Sequence, residues 1–548
     1  MKFTKILVGA LAASALGACA DLDTQYNDNI VSADQKQEVI EQNPDMASAS
    51  VAGIYSSFFK IFSLNTQHYD FGYPAVMMGL DSQGIDYISK NSGYNWFFMY
   101  NSLSANNASS IRSNQIWYYQ YSQIKTCNTL VGSISPDTEE AELQFYRAQG
   151  LATRSFDYWT LAQTYQFDYA NHKTSPCVPV ITDENSEEAA LNGAPRATVE
   201  EVYAQIMKDI NEAIDLLSKS KIDPASVMSD KPKRMVSLAV AYGLRARYNL
   251  TMENWAEAAA DAQMAISTFS GSPYTIQEVS KPTFTSIADH SWMWGIAIAE
   301  TMDGIAGGSI VNFPAMSCSF AHGYCDQGGA WRWCNKNLYD WIPNSDVRKG
   351  WFLDANRKSR NLSAAQQAYL DEFATGTPTY DEDQSTNLMP YTNVKFDSYQ
   401  GVLEQGMNAS DIPLMRVEEM YLIKAEGEAM SGNTSGARET LNNFVRTYRD
   451  PSYACLASDA AGIQNEVWMH RRVELWGEGL SWFDIMRLRK NIDRQGAGFP
   501  RAWIYNVTYG PGNGDVMLFT IPEDEIAANK AITAGQNNPV GKQPSPIS

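Results

Sequence analysis

Between Gly72 and Leu103 the chain reads GYPAVMMGLDSQGIDYISKNSGYNWFFMYNSL, dense in Gly, Asn, Asp and aromatic residues and without a regular period. Such a stretch is too aromatic for a linker and too rich in turn residues for a regular helix. Asp81, Tyr87, Tyr94, Asn95 and Trp96 are therefore candidates for a ligand surface. The alternative is that the same rings plug the side of a helical scaffold. Covalent chemistry finds less support. Asp81 with Asp86, or Asp381 with Glu382 and Asp383, supplies carboxylates, but nothing places two of them across a cleft. The chain lacks a GxSxG string and a phosphate-cradling loop, and its five histidines have no metal-ligand spacing. No catalytic residue and no metal ligand is assigned; the acidic run 381–383 offers oxygen ligands suited only to a structural calcium.

Helices must position these loops. Residues 46–66 read as a helix through Ala52, Ile54, Tyr55, Phe58 and Phe59, and 111–134 and 141–165 as two longer ones. Thr198 with Glu201 forms a capping box ahead of the apolar stripe Val202, Ile206, Ile210, Ala213, Ile214 and Leu217. Segments 234–250 and 254–269 alternate small and large residues, as two close-packed helices require. From Ile412 an apolar run opens another helix, stopped at Gly432-Asn433, and a partner follows through Ala437, Leu441, Phe444 and Val445. A charge-rich helical segment at 463–489 is broken at Gly477 and Gly479. The pattern predicts a mainly α fold: a tetratricopeptide-like scaffold of about four helix pairs within about 111–269 and 412–489. A long loop-rich insertion and few short strands complete it, HSWMWGIAIAE being one strand by alternation, with Trp294 in the core. Ligand-binding loops are expected at about 67–105 and 270–411, within a single body 19–548.

The N-terminus opens with Lys2 and Lys5, followed by an apolar run from Ile6 to Leu16 that is too short to span a bilayer and reads as a cleaved export signal, residues 1–18. Its loss leaves 40 basic against 62 acidic residues, a formal charge of about −22. A chain this acidic, without clustered Lys and Arg, is not built for nucleic acid. Fourteen Trp within 12% aromatic residues demand either a large core or a surface that uses rings. Six of the seven cysteines, at 127, 177, 318, 325, 334 and 455, lack the paired CxxC spacing of a zinc site.

The string RRVELWGEGLSWFDIMR, following MRVEEMYLIKAEG, resembles the C-terminal signature of the SusD/RagB family of nutrient-binding lipoproteins from Bacteroidetes outer membranes. It departs from that pattern at His470, where the family usually has Glu, and at Ser481, where it usually has Arg. YRAQGLATRSFDYWTLAQTYQ, with Arg154, Asp157 and Tyr158, resembles the family's first marked helix, and FTIPEDEIAANKAI…QNN its closing pattern. Leu16-Gly17-Ala18-Cys19 resembles a lipoprotein box, which implies lipid on Cys19, and Asp21-Leu22-Asp23-Thr24 resembles a surface-export signal. The resemblance implies a non-catalytic, outer-membrane, lipid-anchored protein facing the cell exterior, which binds oligo- or polysaccharide and passes it to a SusC-like TonB-dependent transporter. Capture of peptides or another non-sugar nutrient is the alternative. It also places a glycan-contacting loop just before the short helix NKNLYDWI, which adds Trp331, Arg332 and Trp333 to the candidates, and it gives Arg348 a structural role. Two ring platforms facing each other, Trp96 with Asp81 and Asn95 against Trp331 and Trp333 with Arg332, would suit a sugar's C–H face and hydroxyl rim.

Overall fold

The computed structural model describes residues 45–547 and positions 37, 40 and 43, apart from 65, 91–93, 105–106, 303–304, 379 and 381–386. Cys19 and the acidic run Asp381-Glu382-Asp383 lie outside the described residues. Helices α1 (Asp45–Ser57) and α2 (Tyr73–Gln83) precede the two-residue strand β1 (Tyr87–Ile88). Five long helices follow: α3 (Ile111–Gly132), α4 (Ala141–Tyr165), α5 (Val199–Ser220), α6 (Leu238–Thr251) and α7 (Trp255–Thr268). The insertion carries strands β2 (Trp292–Ile296) and β3 (Trp333–Cys334), the short helix α8 (Lys336–Trp341) and, at its end, strand β4 (Ile412–Arg416). Helices α9 (Val417–Met430), α10 (Thr434–Tyr448), α11 (Ala460–Glu474) and α12 (Ser481–Arg487) complete the scaffold.

The fold is mainly helical, with α3/α4, α6/α7 and α9/α10 packed as consecutive pairs. Helix α5 lies against α4 and α6, α7 against α9, and α11 against α9, so the array runs from one half of the chain into the other. Small residues set the closest approach: a Cβ on Gly427 of α9 would sit 2.5 Å from the Trp255 carbonyl and 3.0 Å from Ala259 of α7. The capping box at α5 is formed, Thr198 Oγ1 accepting from the Glu201 N–H and Glu201 Oε2 from the Thr198 N–H. One large apolar core extends from Ile40 to Ile532, and a second lies between α9, α10 and α11 around Leu441 and Phe444.

Two stretches differ from their sequence reading. Residues 412–416 are strand rather than the start of a helix, pairing antiparallel with β2 and buried throughout. A continuous apolar run has no period that separates a buried strand from a buried helix. Conversely, Tyr73–Gln83, expected as irregular, is a helix, with Pro74 in its first turn. Every one of its residues is buried, so it has no polar face and no amphipathic period to read. Helix α1 also stops at Ser57 rather than reaching residue 66; Phe58 and Phe59 turn into the core, and the described residues of 60–68 are exposed or partly exposed.

Candidate ligand platform

The segment 471–487, with its alternating charges, is buried. Glu474 lies among Arg449 at 2.7 Å, Arg416 at 3.1 Å and Arg348 at 3.3 Å, while Glu478 pairs with Arg416 at 2.8 Å and Lys395 at 2.6 Å. Burial alone would raise the Glu474 carboxyl, but the three guanidiniums outweigh it and hold it well below the usual range. Arg471 binds Asp484, Arg487 binds Asp484 and Glu426, and Arg472 binds Asp86 at 2.7 Å. His470 and Ser481 also join this packing. His470 Nδ1 accepts from Arg348 at 2.8 Å, and the Ser481 hydroxyl donates to Asp81 at 2.9 Å. Burial, helped by the Arg348 charge, lowers the His470 pKa well below its ordinary value, so the ring is neutral.

Asp81 is thereby a core residue. It accepts from the Gly479 N–H and from Ser481, and burial, opposed by those bonds, pushes its carboxyl up to about 7. Gly479, at a φ of +76°, makes this possible, because a Cβ there would lie 2.6 Å from Met77 Cβ. Asp81 and Asp86 both point into this packing rather than into a cleft.

The facing platform is buried too. Register Tyr87↔Cys334 and Ile88↔Trp333 draws β3 against β1. Trp331 and Trp333 are both 0% exposed, Trp331 against Phe373 at 5.3 Å, Trp333 donating Nε1–H to the Gly498 carbonyl at 2.9 Å. Arg332 lies with its guanidinium 5.8 Å from the Tyr87 ring, and Tyr87 itself packs on Trp476 at 4.8 Å. Trp331, Arg332, Trp333, Tyr87 and Asp81 thus leave the surface to the core, because strand pairing turns that loop inward.

What remains outside is a different row of rings. Tyr94 is 57% exposed and Trp96 partly exposed, and Asn95 between them is buried. Its Nδ2 donates to the Lys90 carbonyl and Asn101 Oδ1, and its Oδ1 accepts from the Phe97 N–H, so Asn95 shapes the turn that presents its neighbours. Trp96 meets His68 at 4.8 Å and Tyr324 at 6.5 Å; Tyr94 meets Tyr324 at 6.1 Å; Phe62 meets His68 at 6.2 Å. The Tyr324 hydroxyl shares a hydrogen bond with His68 Nδ1. Burial lowers the His68 pKa, which keeps its ring neutral at pH 7, and raises that of Tyr324. Three loops therefore supply one row: 58–70, 94–98 and 318–328.

Local chemistry fixes each loop. In the first, Asp70 receives hydrogen bonds from the Ser63 hydroxyl and the Leu64 N–H, while its carbonyl accepts from the Phe62 N–H. In the third, Asp326 accepts from the N–H groups of Gly323 and Gln327 and meets His322 Nδ1 at 3.2 Å. Gly328 then packs against Tyr94, where a Cβ would approach the Tyr94 Cβ to 3.0 Å. His68, Phe62 and Tyr324 escape sequence reasoning: each is one ring among many, and only the turn-forming Asp70 and Asp326 beside them mark those loops as shaped.

A family model described as "Starch-binding associating with outer membrane" matches residues 41–249, and the SusD family model matches residues 330–540. The chain belongs to the SusD family. Its fold is similar to that of a SusD-like carbohydrate binding protein from Bacteroides vulgatus, 22% identical, with 91% of this chain and 98% of that one covered and a TM-score of 0.70. A SusD superfamily protein from Bacteroides thetaiotaomicron is 20% identical over 90% of this chain and 99% of that one, at 0.68. A laminarin binding SusD-like protein is 18% identical over 90% and 99%, at 0.61. No curated protein matches the sequence. Between the two SusD family matches lie residues 250–329, which include Tyr324.

Proposed function

We propose that this SusD-family chain is a non-catalytic binder of oligo- and polysaccharides and that the sugar lies on the row Phe62, His68, Trp96 and Tyr94, which Tyr324 backs from beneath. The observation that carries the reading is the exposure of Phe62 and Tyr94 and the partial exposure of His68 and Trp96, joined into one cluster by the buried Tyr324 behind them. Pyranose rings stack their C–H faces on such surfaces, and several weak contacts along a chain add up. Two of the similar structures are named for carbohydrate and laminarin binding, which supports the ligand class. Cys19 carries the lipid that holds the protein on the outer face of the outer membrane, and the bound chain passes to a SusC-like TonB-dependent transporter. No described helix is long and apolar enough to cross a membrane.

The test is calorimetric titration of the soluble chain from Ala20 onward against plant, host and microbial polysaccharides, with product analysis. Binding to a glycan class without cleavage, lost in Trp96→Ala, is the expected result. Silence across the panel from folded protein, or released product, would sink the proposal, silence favouring peptide or other nutrient capture.

A further inference from the structure

Phe62 sits at the end of the ring row and also on the wall of a groove of about 860 Å³ between α1, α3 and the loop 59–64. That volume falls within the range of small-ligand pockets, about 300–1,000 Å³. Phe62 is 42% exposed and has a φ of +54°. A bulky aromatic residue in the left-handed region is an outlier that persists only when its surroundings over-determine it, and Asp70 does so here through Phe62, Ser63 and Leu64. The loop is thus held in a strained form that presents an apolar ring at the junction of row and groove.

The two walls of the groove differ. Phe59, Ile61, Phe62 and Leu64 make the loop side largely apolar, with Lys60 and Ser63 between them. The other is rich in acceptors. Ser56, Ser57 and Thr126 spend their hydroxyl protons on carbonyls of their own helices, which leaves the lone pairs of Ser56 and Thr126 to the groove. Gln123 is buried behind them and donates its Nε2–H groups toward the Ile54 carbonyl and Ser57, which holds that wall in place. Lys60 is the single charged residue among the described lining residues.

We propose that the groove is a second subsite, continuous with the ring row across Phe62, for the further units of a neutral oligosaccharide whose hydroxyls donate to the serine and threonine oxygens of α1 and α3. An apolar wall facing an acceptor wall matches a sugar's C–H face and hydroxyl edge, and a single cation, Lys60, among the described lining residues favours a neutral chain over a polyanionic one. The inference rests on the row as the primary sugar site, and its test separates the two.

The chain from Ala20 is titrated with starch, laminarin, mannan and xyloglucan, and then with oligosaccharides of two to eight units cut from whichever binds. Wild type is expected to bind six units at least tenfold more tightly than two. Ser122→Trp, which fills the groove from exposed α3 surface, is expected to erase that gain and leave two-unit binding unchanged. Equal affinity at all lengths, or a Ser122→Trp variant that keeps the gain, overturns the groove and leaves the ring row standing. If Trp96→Ala still binds short oligomers, or no polysaccharide binds, the row itself fails and the proposal falls with it.

Discussion

The buried ion-pair network around Glu474 and the exposed ring row around Trp96 are built on opposite terms. The first uses the most conspicuous charges in the sequence, and it places them where no ligand can reach: Arg348, Arg416, Arg449 and Glu474 have fully buried side chains. The second uses rings from a chain that carries 14 Trp, 29 Tyr and 21 Phe, of which only Tyr94 and Trp96 stood out in sequence, and loops bring them together. The difference teaches that a strong motif in this chain marks the joint that locks the insertion to the helical scaffold. The ligand surface lies on the loops which that joint holds in place.

The comparison breaks most easily through stability. Glu474→Ala leaves three buried guanidiniums short of a partner, and removing one member of a buried pair typically costs about 3–5 kcal/mol. A shift of that size in the urea midpoint is expected, with glycan affinity unchanged in whatever protein remains folded. Asn95→Ala is next: it releases the turn that carries Tyr94 and Trp96, at about 1–3 kcal/mol for the polar groups left unsatisfied. Here affinity and stability should fall together, which urea melts and titration will show.

The smallest effect is on pH. The folded state keeps His470 neutral with a lowered pKa, so between that value and the ordinary 6.5 the unfolded chain binds the extra proton. Its contribution is present above about pH 6.5 and is lost as pH falls through the folded-state pKa. Asp81 has the opposite sign: with its carboxyl raised to about 7, its contribution is lost as pH rises through neutrality. Melting curves of wild type and His470→Asn, in which the amide oxygen replaces Nδ1 as acceptor for Arg348, should converge toward acid pH if this assignment holds. A constant gap from pH 5 to 8 would contradict it.

Much of the scaffold was legible because amphipathic helices announce themselves. α5 shows both its cap and its stripe in sequence, and Gly432-Asn433 marks the turn between α9 and α10. Legibility failed where burial is complete: α2 and β4 have no polar face, so helix and strand look alike there. The site was half legible for a related reason. Trp96 and Tyr94 were recognised from a turn-rich aromatic stretch, but the same composition describes Trp331–Trp333, and a tryptophan does not encode on which side of a loop it will lie. That choice is made by the pairing of β1 with β3, a contact between residues some 250 positions apart that no local pattern records.

The most direct test sets one tryptophan of each kind side by side, measuring thermal melting and glycan titration for Trp96→Ala and Trp331→Ala. Trp96→Ala should melt close to wild type and lose at least tenfold in affinity, about 1.4 kcal/mol. Trp331→Ala should lose about 3–5 kcal/mol of stability, as large-to-small core changes do, and bind normally where folded. If Trp331→Ala instead kept its stability and lost binding, while Trp96→Ala bound as wild type, the ligand surface would lie at the insertion's tryptophans and the ring row would not be the site.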